Sequence, residues 1–172
     1  FYYPNIDAVE YILDEVWPRI RKRLPDVPIR IGGAKPKPRV VQACERHNVP
    51  LQADIPDMAA AFRTNDVLLT PLRVASGTRF KLLEALSAGM GVVTNALGAE
   101  GLPLEDGVHL RFGENAGELA EATVELLQDD DQRRRLGEAG RELVKERYSR
   151  RTVAGKLEGI FRSVARDRKS VV

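Results

Sequence analysis

Five residues within one stretch combine side-chain type and spacing in a way that suits an anion: Gly77, Thr78, Arg79, Lys81 and Glu84, inside Val74–Gly101, VASGTRFKLLEALSAGMGVVTNALGAEG. A threonine hydroxyl accepts from a backbone N–H of a first helical turn, and a glycine suits the left-handed position that closes one. Thr78 and Gly89 therefore predict a helix capped by Thr78 and running to about Ala88. Leu82, Leu83 and Leu86 give it an apolar stripe and leave Arg79, Lys81 and Glu84 for another face. A helix N-terminus offers unpaired N–H groups and about half a positive charge; Gly77 admits a ligand closely, and Arg79 and Lys81 add two cations. Glu84, three residues beyond Lys81 and about one and a half turns further in, adds an acceptor for hydroxyl groups. Phosphate and hydroxyl recognition side by side fit a nucleoside diphosphate. The same spacing also fits an ordinary i,i+3 surface ion pair of Lys81 with Glu84 beside a solvated Arg79, and spacing alone leaves both open.

The elements that must carry this stretch are legible along the chain. Val9, Ile12, Leu13, Val16 and Ile20 fall at helical spacing in Ile6–Leu24, with Asn5 or Asp7 as cap and Pro25 as terminator. Strands are expected at Val27–Ile31, ending on Gly32-Gly33, at Val49–Ala53, at Asp66–Thr70, at Gly91–Thr94 and near Val108–Arg111. Helices are expected at Pro38–His47, at Pro56–Arg63 with proline in the first turn, and at about Ala116–Gln128, Asp131–Glu146 and Arg150–Arg168. The strands are short, apolar and unalternating, and most are separated by helices. That pattern calls for an α/β fold with a doubly wound, Rossmann-like parallel sheet covered on both faces. Ligands of such sheets lie beyond the carboxyl ends of the strands, where Gly32-Gly33, Ala53–Pro56, Pro71–Thr78 and Asn95–Gly101 would converge.

Length and composition bound the rest. At 172 residues and 43% hydrophobic the chain can bury one real core, so a single domain over residues 1–172 is expected. The net charge of +2 hides an asymmetry, because residues 132–172 hold 13 Lys/Arg against 5 Asp/Glu. Basic C-terminal helices could meet anionic lipid, but the interleaved Glu138, Glu142 and Glu146 favour a solvated helical surface, and no nucleic acid partner is expected. Cys44, the only cysteine, excludes an internal disulfide and a cysteine metal cluster, which fits a reducing, cytoplasmic setting. No apolar run is long enough to span a bilayer and no signal-peptide pattern opens the chain. Its start at Phe1-Tyr2-Tyr3 without methionine points to a piece of a longer protein.

The ordered motifs Tyr3-Pro4-Asn5-x-Asp7-Ala8, Trp17-Pro18, Ile31-Gly32-Gly33, Ile55-Pro56-Asp57, Asp66-Val67, Pro71-Leu72, Ser76-Gly77-Thr78-Arg79-x-Lys81-x-x-Glu84-Ala85 and Gly98-x-Glu100-Gly101-Leu102, with the late Tyr148-Ser149, span most of the chain. In order and spacing the chain resembles the C-terminal, donor-binding domain of GT-B glycosyltransferases of the group 1, retaining kind. The resemblance implies that Glu84 binds the ribose hydroxyls of a nucleotide sugar such as a UDP sugar. It implies that Gly77 and Thr78 with the helix N-terminus hold the diphosphate, and that Arg79 or Lys81 neutralises it. The glycine loop at Gly33 and the backbone around Ile55 would lie along the donor, with Ile55 facing the base. It further implies a nucleotide sugar as substrate, no cofactor and no required metal, and a separate N-terminal domain that binds the acceptor.

Three departures qualify this. Many relatives carry a glutamate eight positions before the one matching Glu84, and here that position is Ser76, which cannot supply the charge. Gly91 replaces a usual proline, and the first strand with its glycine loop, which normally precedes the Tyr-Pro-Asn motif, is missing. A nucleotide-binding or assembly module without transfer activity is therefore the alternative reading.

The remaining candidates are weaker. Asp129-Asp130-Asp131 has the Asp-x-Asp spacing of some metal sites, but between two helices acidic residues are expected as caps. His47 and His109 lack partners at ligand spacing. No Gly-x-Ser-x-Gly elbow or Walker loop is present, which argues against hydrolase and nucleoside triphosphatase chemistry.

Overall fold

The computed structural model describes residues 3–63, 66–74, 77 and 79–167, with side chains to Val164. Its elements in chain order are α1 (Tyr3–Tyr11), a π-helical turn (Ile12–Val16), α2 (Trp17–Arg23), β1 (Ile31–Gly33), α3 (Pro38–His47), β2 (Leu51–Ala53), α4 (Met58–Arg63) and β3 (Val67–Leu69). There follow α5 (Phe80–Ser87), β4 (Gly91–Thr94), α6 (Ala96–Ala99), β5 (Arg111–Phe112), α7 (Ala116–Gln128), α8 (Asp130–Tyr148) and α9 (Arg150–Asp167). All strand pairing between named strands is parallel, in two groups: β1 with β2, and β3–β4–β5. The register sets Ile31 opposite Leu51, and Val67 and Leu69 opposite Gly91 and Val93.

Alternation along the strands shows why their apolar runs are unbroken. Val93, Val67 and Leu69 join a core with Leu13, Val16 and Ile20 of the first helices and Leu119 and Leu126 of α7, which also takes in Ile31 and Leu51 of the other sheet. Val92 and Leu68 face the opposite way, into a second core with Phe62, Leu82, Leu86, Met90 and Leu110. Both faces of β4 are thus buried, as expected for a doubly wound parallel α/β fold.

Several boundaries differ from expectation, each for a local reason. The first helical segment already includes Tyr3, so Asn5 and Asp7 lie inside it and neither caps it; a π turn precedes α2, where Pro18 offers no N–H to the preceding turn and disfavours a regular ladder. β1 begins at Ile31, after Pro28, and ends with both glycines inside it. α4 begins at Met58, with Asp57 Oδ1 accepting from the Ala60 N–H at 2.8 Å. The Asn95–Gly101 loop contains the short helix α6, and the last strand lies at Arg111–Phe112, after a turn in which Gly107 has φ +70°.

Cys44 is buried and lies in the first core, and burial, followed by the nearby Glu45, raises its thiol pKa. Among the described residues no helix is long and apolar enough to cross a membrane.

Candidate functional site

α5 begins at Phe80, with Arg79 in the N-cap position, one residue later than the cap that the spacing predicts. Thr78, the expected cap, and Ser76 lie outside the described residues. The other end agrees with expectation: Gly89 has φ +77° and follows a C-cap at Ala88. Gly77 has φ +79°, a left-handed conformation that side chains resist, and among the described residues a Cβ there would meet nothing within 4 Å. That side of Gly77 leaves room for an approaching group.

The faces of α5 separate cleanly. Leu82, Ala85 and Leu86 are buried, while Lys81 and Glu84 are exposed. Lys81 Nζ donates to Asn5 Oδ1 of α1 at 2.8 Å, which ties α5 to the first helix. Phe80, at the first helical position, is 67% exposed. Arg79 behaves differently from the solvated cation that one reading expects: its side chain is buried, and it donates to the carbonyls of Gly77 at 2.7 Å and Leu97 at 3.0 Å and to Glu100 Oε2 at 3.2 Å.

The loop leading to this mouth is fixed from two sides. Asn95, buried at the end of β4, donates Nδ2 to the Leu72 carbonyl at 2.8 Å and accepts at Oδ1 from the N–H groups of Leu72 and Gly98, each at 3.0 Å. Thr94 Oγ1 donates to the Thr70 carbonyl at 2.8 Å, and a Cβ on Gly98 would come 2.1 Å from that hydroxyl, so α6 packs directly on the strand end. From the other side, Arg73 forms a bidentate pair with the buried Asp7 of α1 at 3.0 and 2.7 Å and lies 4.5 Å over the Tyr11 ring. The Asp7 hydrogen bond raises the already high Arg73 pKa, so Arg73 keeps its positive charge.

At β1 and β2, Gly33 is open on its Cβ side, whereas the space beside Gly32 is filled by Ile55, whose Cδ1 lies 2.7 Å from where a Cβ would sit. The glycine pair therefore serves two ends: Gly32 admits Ile55, and Gly33 leaves the strand end uncovered. The Asp54 N–H donates to the Gly33 carbonyl at 2.9 Å, and Asp54 Oδ1 accepts from the Lys35 N–H at 3.0 Å, which ties the two loops together. The acidic run has the expected capping role: Asp129 Oδ1 accepts from the Gln132 N–H at 2.8 Å, Asp130 pairs with Arg133, and Asp131 pairs with Arg134. Among the described residues no group of three His, Cys, Asp or Glu side chains is placed to hold a metal ion. His47 ends α3 against Asp14 at 2.7 Å, and His109 Nδ1 accepts from the Glu105 N–H at 3.2 Å.

Sequence reasoning assigned no role to the Asn95 clamp, the Glu100 contact or the Asp7–Arg73 pair. Asn95-x-x-Gly98 has the spacing of a side-chain cap and was findable; Asp7 and Arg73 are 66 residues apart and leave no local signal.

A parallel α/β domain covered on both faces, with a glycine turn and a cationic helix mouth after a strand, is of the kind found as the C-terminal domain of GT-B glycosyltransferases. The chain belongs to the family described as glycosyl transferases group 1, whose model matches residues 1–129. It is similar to the phosphatidyl-myo-inositol mannosyltransferase of Mycobacterium leprae, with 36% identity over 116 residues, covering 66% of this chain and 31% of that protein. The Mycobacterium tuberculosis protein of the same name is 29% identical over 164 residues, covering 90% and 43%. The chain thus spans less than half the length of these curated relatives.

Among solved structures, the C-terminal domain of the group 1 family protein LpcC from Francisella tularensis matches with a TM-score of 0.67 at 18% identity, covering 87% of this chain and 83% of that one. A glycosyltransferase from Rickettsia africae matches at 0.77 and 13% identity, covering 96% and 45%. Anabaena Alr3699/HepE, in complex with UDP and glucose, matches at 0.74 and 14% identity, covering 86% and 44%. At these identities the likeness establishes the fold.

Proposed function

We propose that this chain is the donor-binding part of a nucleotide-sugar-dependent glycosyltransferase that moves a hexose-type unit, with retention, to an acceptor held by a separate N-terminal domain. The observation that carries the reading is the α5 mouth: an open glycine turn with φ +79°, and Lys81 and Glu84 exposed on a helix whose opposite face is core. Glu84 binds the ribose hydroxyls, and Gly77, Thr78 and the first N–H groups of α5 hold the diphosphate. Lys81 meets its charge, with Arg79 contributing to the same turn, while Gly33 and Ile55 border the donor, and Ser76 supplies no carboxylate to the reaction.

Breaking the sugar–phosphate bond puts negative charge on the leaving diphosphate, and fixed donors aimed there favour the transition state over the bound donor. In this reading the departure needs no cofactor and no metal ion. The UDP complex of HepE supports a uridine nucleotide, and the names of the curated relatives make a mannosyl unit the first sugar to test. The full-length protein, incubated with UDP-linked and GDP-linked hexoses, is expected to release the nucleoside diphosphate with transfer or slow hydrolysis of the sugar. Nucleotide binding with no release of sugar would instead indicate a binding module.

α9 supports a second partner. Val153, Leu157, Ile160, Phe161 and Val164, at helical spacing, are 42–70% exposed on a helix that also carries Arg150, Arg151, Lys156 and Arg162. An apolar stripe flanked by cations suits the anionic surface of a membrane on the cytoplasmic side, where a lipid acceptor would be reached. Co-sedimentation with phosphatidylserine vesicles is expected, with release by high salt and by Phe161→Asp. Sedimentation that ignores both would contradict this contact.

A further inference from the structure

Spacing alone makes Arg79 a candidate to neutralise a diphosphate directly. Its two terminal nitrogens are occupied otherwise, and its Nε is buried without a hydrogen-bond partner among the described residues. Nη1 donates to the Gly77 carbonyl and Nη2 to both the Leu97 carbonyl and Glu100 Oε2, and the residue is only 8% exposed. The acceptors come from two separate segments, the turn entering α5 and the end of α6. A guanidinium is a rigid planar fork, so one side chain bonded to both segments fixes their spacing, which a flexible ammonium could not do. Charge-assisted bonds to carbonyls are among the stronger kinds when buried. Glu100 is different, since its side chain is 69% exposed, and its pairing contributes orientation more than energy.

We infer that Arg79 is a positioning residue, held in place by Glu100, that locks the Gly77 turn to the α6 end and so shapes the donor-phosphate site without contacting the nucleotide. This rests on the nucleotide-site reading above. An anion reaching the turn meets a Gly77 carbonyl already engaged by a cation, which lessens its repulsion. The positive charge facing the ligand then comes from Lys81 and the N–H groups of α5.

The two roles for Arg79 predict opposite behaviour in a variant that leaves folding intact, because Glu100 is exposed. If Arg79 positions the turn, Glu100→Ala weakens UDP binding by the full-length protein about threefold to tenfold, and Arg79→Lys, which keeps the charge and loses the fork, weakens it about tenfold or more. If Arg79 contacts phosphate directly, Glu100→Ala leaves binding unchanged or tightens it, since a competing carboxylate is gone, and Arg79→Lys stays near wild type; either result overturns the inference. Amide hydrogen exchange on the nucleotide-free protein decides the same point independently. Exchange at residues 77–80 is expected to be about tenfold faster in Arg79→Lys, which loses the fork to the Gly77 and Leu97 carbonyls, and unchanged exchange overturns the clamp. A wild-type protein that binds neither UDP nor GDP would sink the proposed function, while the exchange result would still decide whether the clamp exists.

Discussion

Replacing Gly137 by alanine is expected to cost about 3 kcal/mol or more of folding stability, more than an alanine in a helix would normally gain. A Cβ at this position would lie 2.1 Å from the Gly89 carbonyl oxygen and 2.8 Å from its carbonyl carbon. An unstrained contact needs roughly 3.5 Å, so the two segments must part. Neither side yields cheaply: Gly89 is held at φ +77° as the stop of α5, and α8 is seated by the fully buried Leu136 beside Gly137. Gly140, one turn on, has a similar restriction against Leu86. α8 is therefore the back support of the helix that presents Lys81 and Glu84, and moving it disturbs the site as well as the core. Gly155 in α9 provides the control, since a Cβ there meets nothing within 4 Å. Gly155→Ala is expected to raise stability by about 0.5–1 kcal/mol. Chemical denaturation of both variants checks the pair, and equal effects would contradict the packing of α8 on the α5 stop.

Asn95→Ala is expected to cost about 2–5 kcal/mol, because it removes the acceptor of two buried N–H groups, Leu72 and Gly98, and the donor to the Leu72 carbonyl. The loss goes beyond a helix cap. Asn95 joins the end of β4 to the chain leaving β3, and that chain continues through Arg73 to the Gly77 turn. Looser nucleotide binding is therefore expected alongside lower stability, while the first core, built on Leu13, Ile20 and Leu119, keeps its protection from hydrogen exchange. A loss confined to about the value of an exposed cap, near 1 kcal/mol, would show that the clamp adds nothing.

How much of this was legible in the sequence depended on whether the deciding interaction was local. α3 has proline at its first position and a left-handed Asn48 at its end, and its predicted limits coincide with Pro38–His47. α7 coincides with Ala116–Gln128, where Asn115 accepts from the Gly117 and Glu118 N–H groups. β4 was read correctly from an apolar run between glycines, and the parallel sheet buried on both faces followed from short unalternating strands. The π turn before Pro18, the start of α5 at Phe80 and the short helix α6 were missed, since each depends on packing or on competition between neighbouring hydrogen bonds. At the site, spacing identified Gly77, Lys81 and Glu84 as members of one surface but could not tell which cation faces outward. Arg79 and Lys81 are equivalent as sequence symbols; only contacts with Leu97 and Glu100, about twenty residues away, separate a buried arginine from an exposed lysine.

The most direct test of the nucleotide-site reading is calorimetric titration of the full-length protein with UDP and GDP, for wild type and Glu84→Ala. Glu84 is exposed, so its loss should leave folding intact and report on the ligand alone. One of the two nucleotides is expected to bind the wild type, and Glu84→Ala to lose about 1.5–3 kcal/mol, the value of a hydrogen bond to a charged group. Absence of binding by either nucleotide, or binding indifferent to Glu84, would contradict the assignment of the α5 mouth as a nucleotide-sugar site.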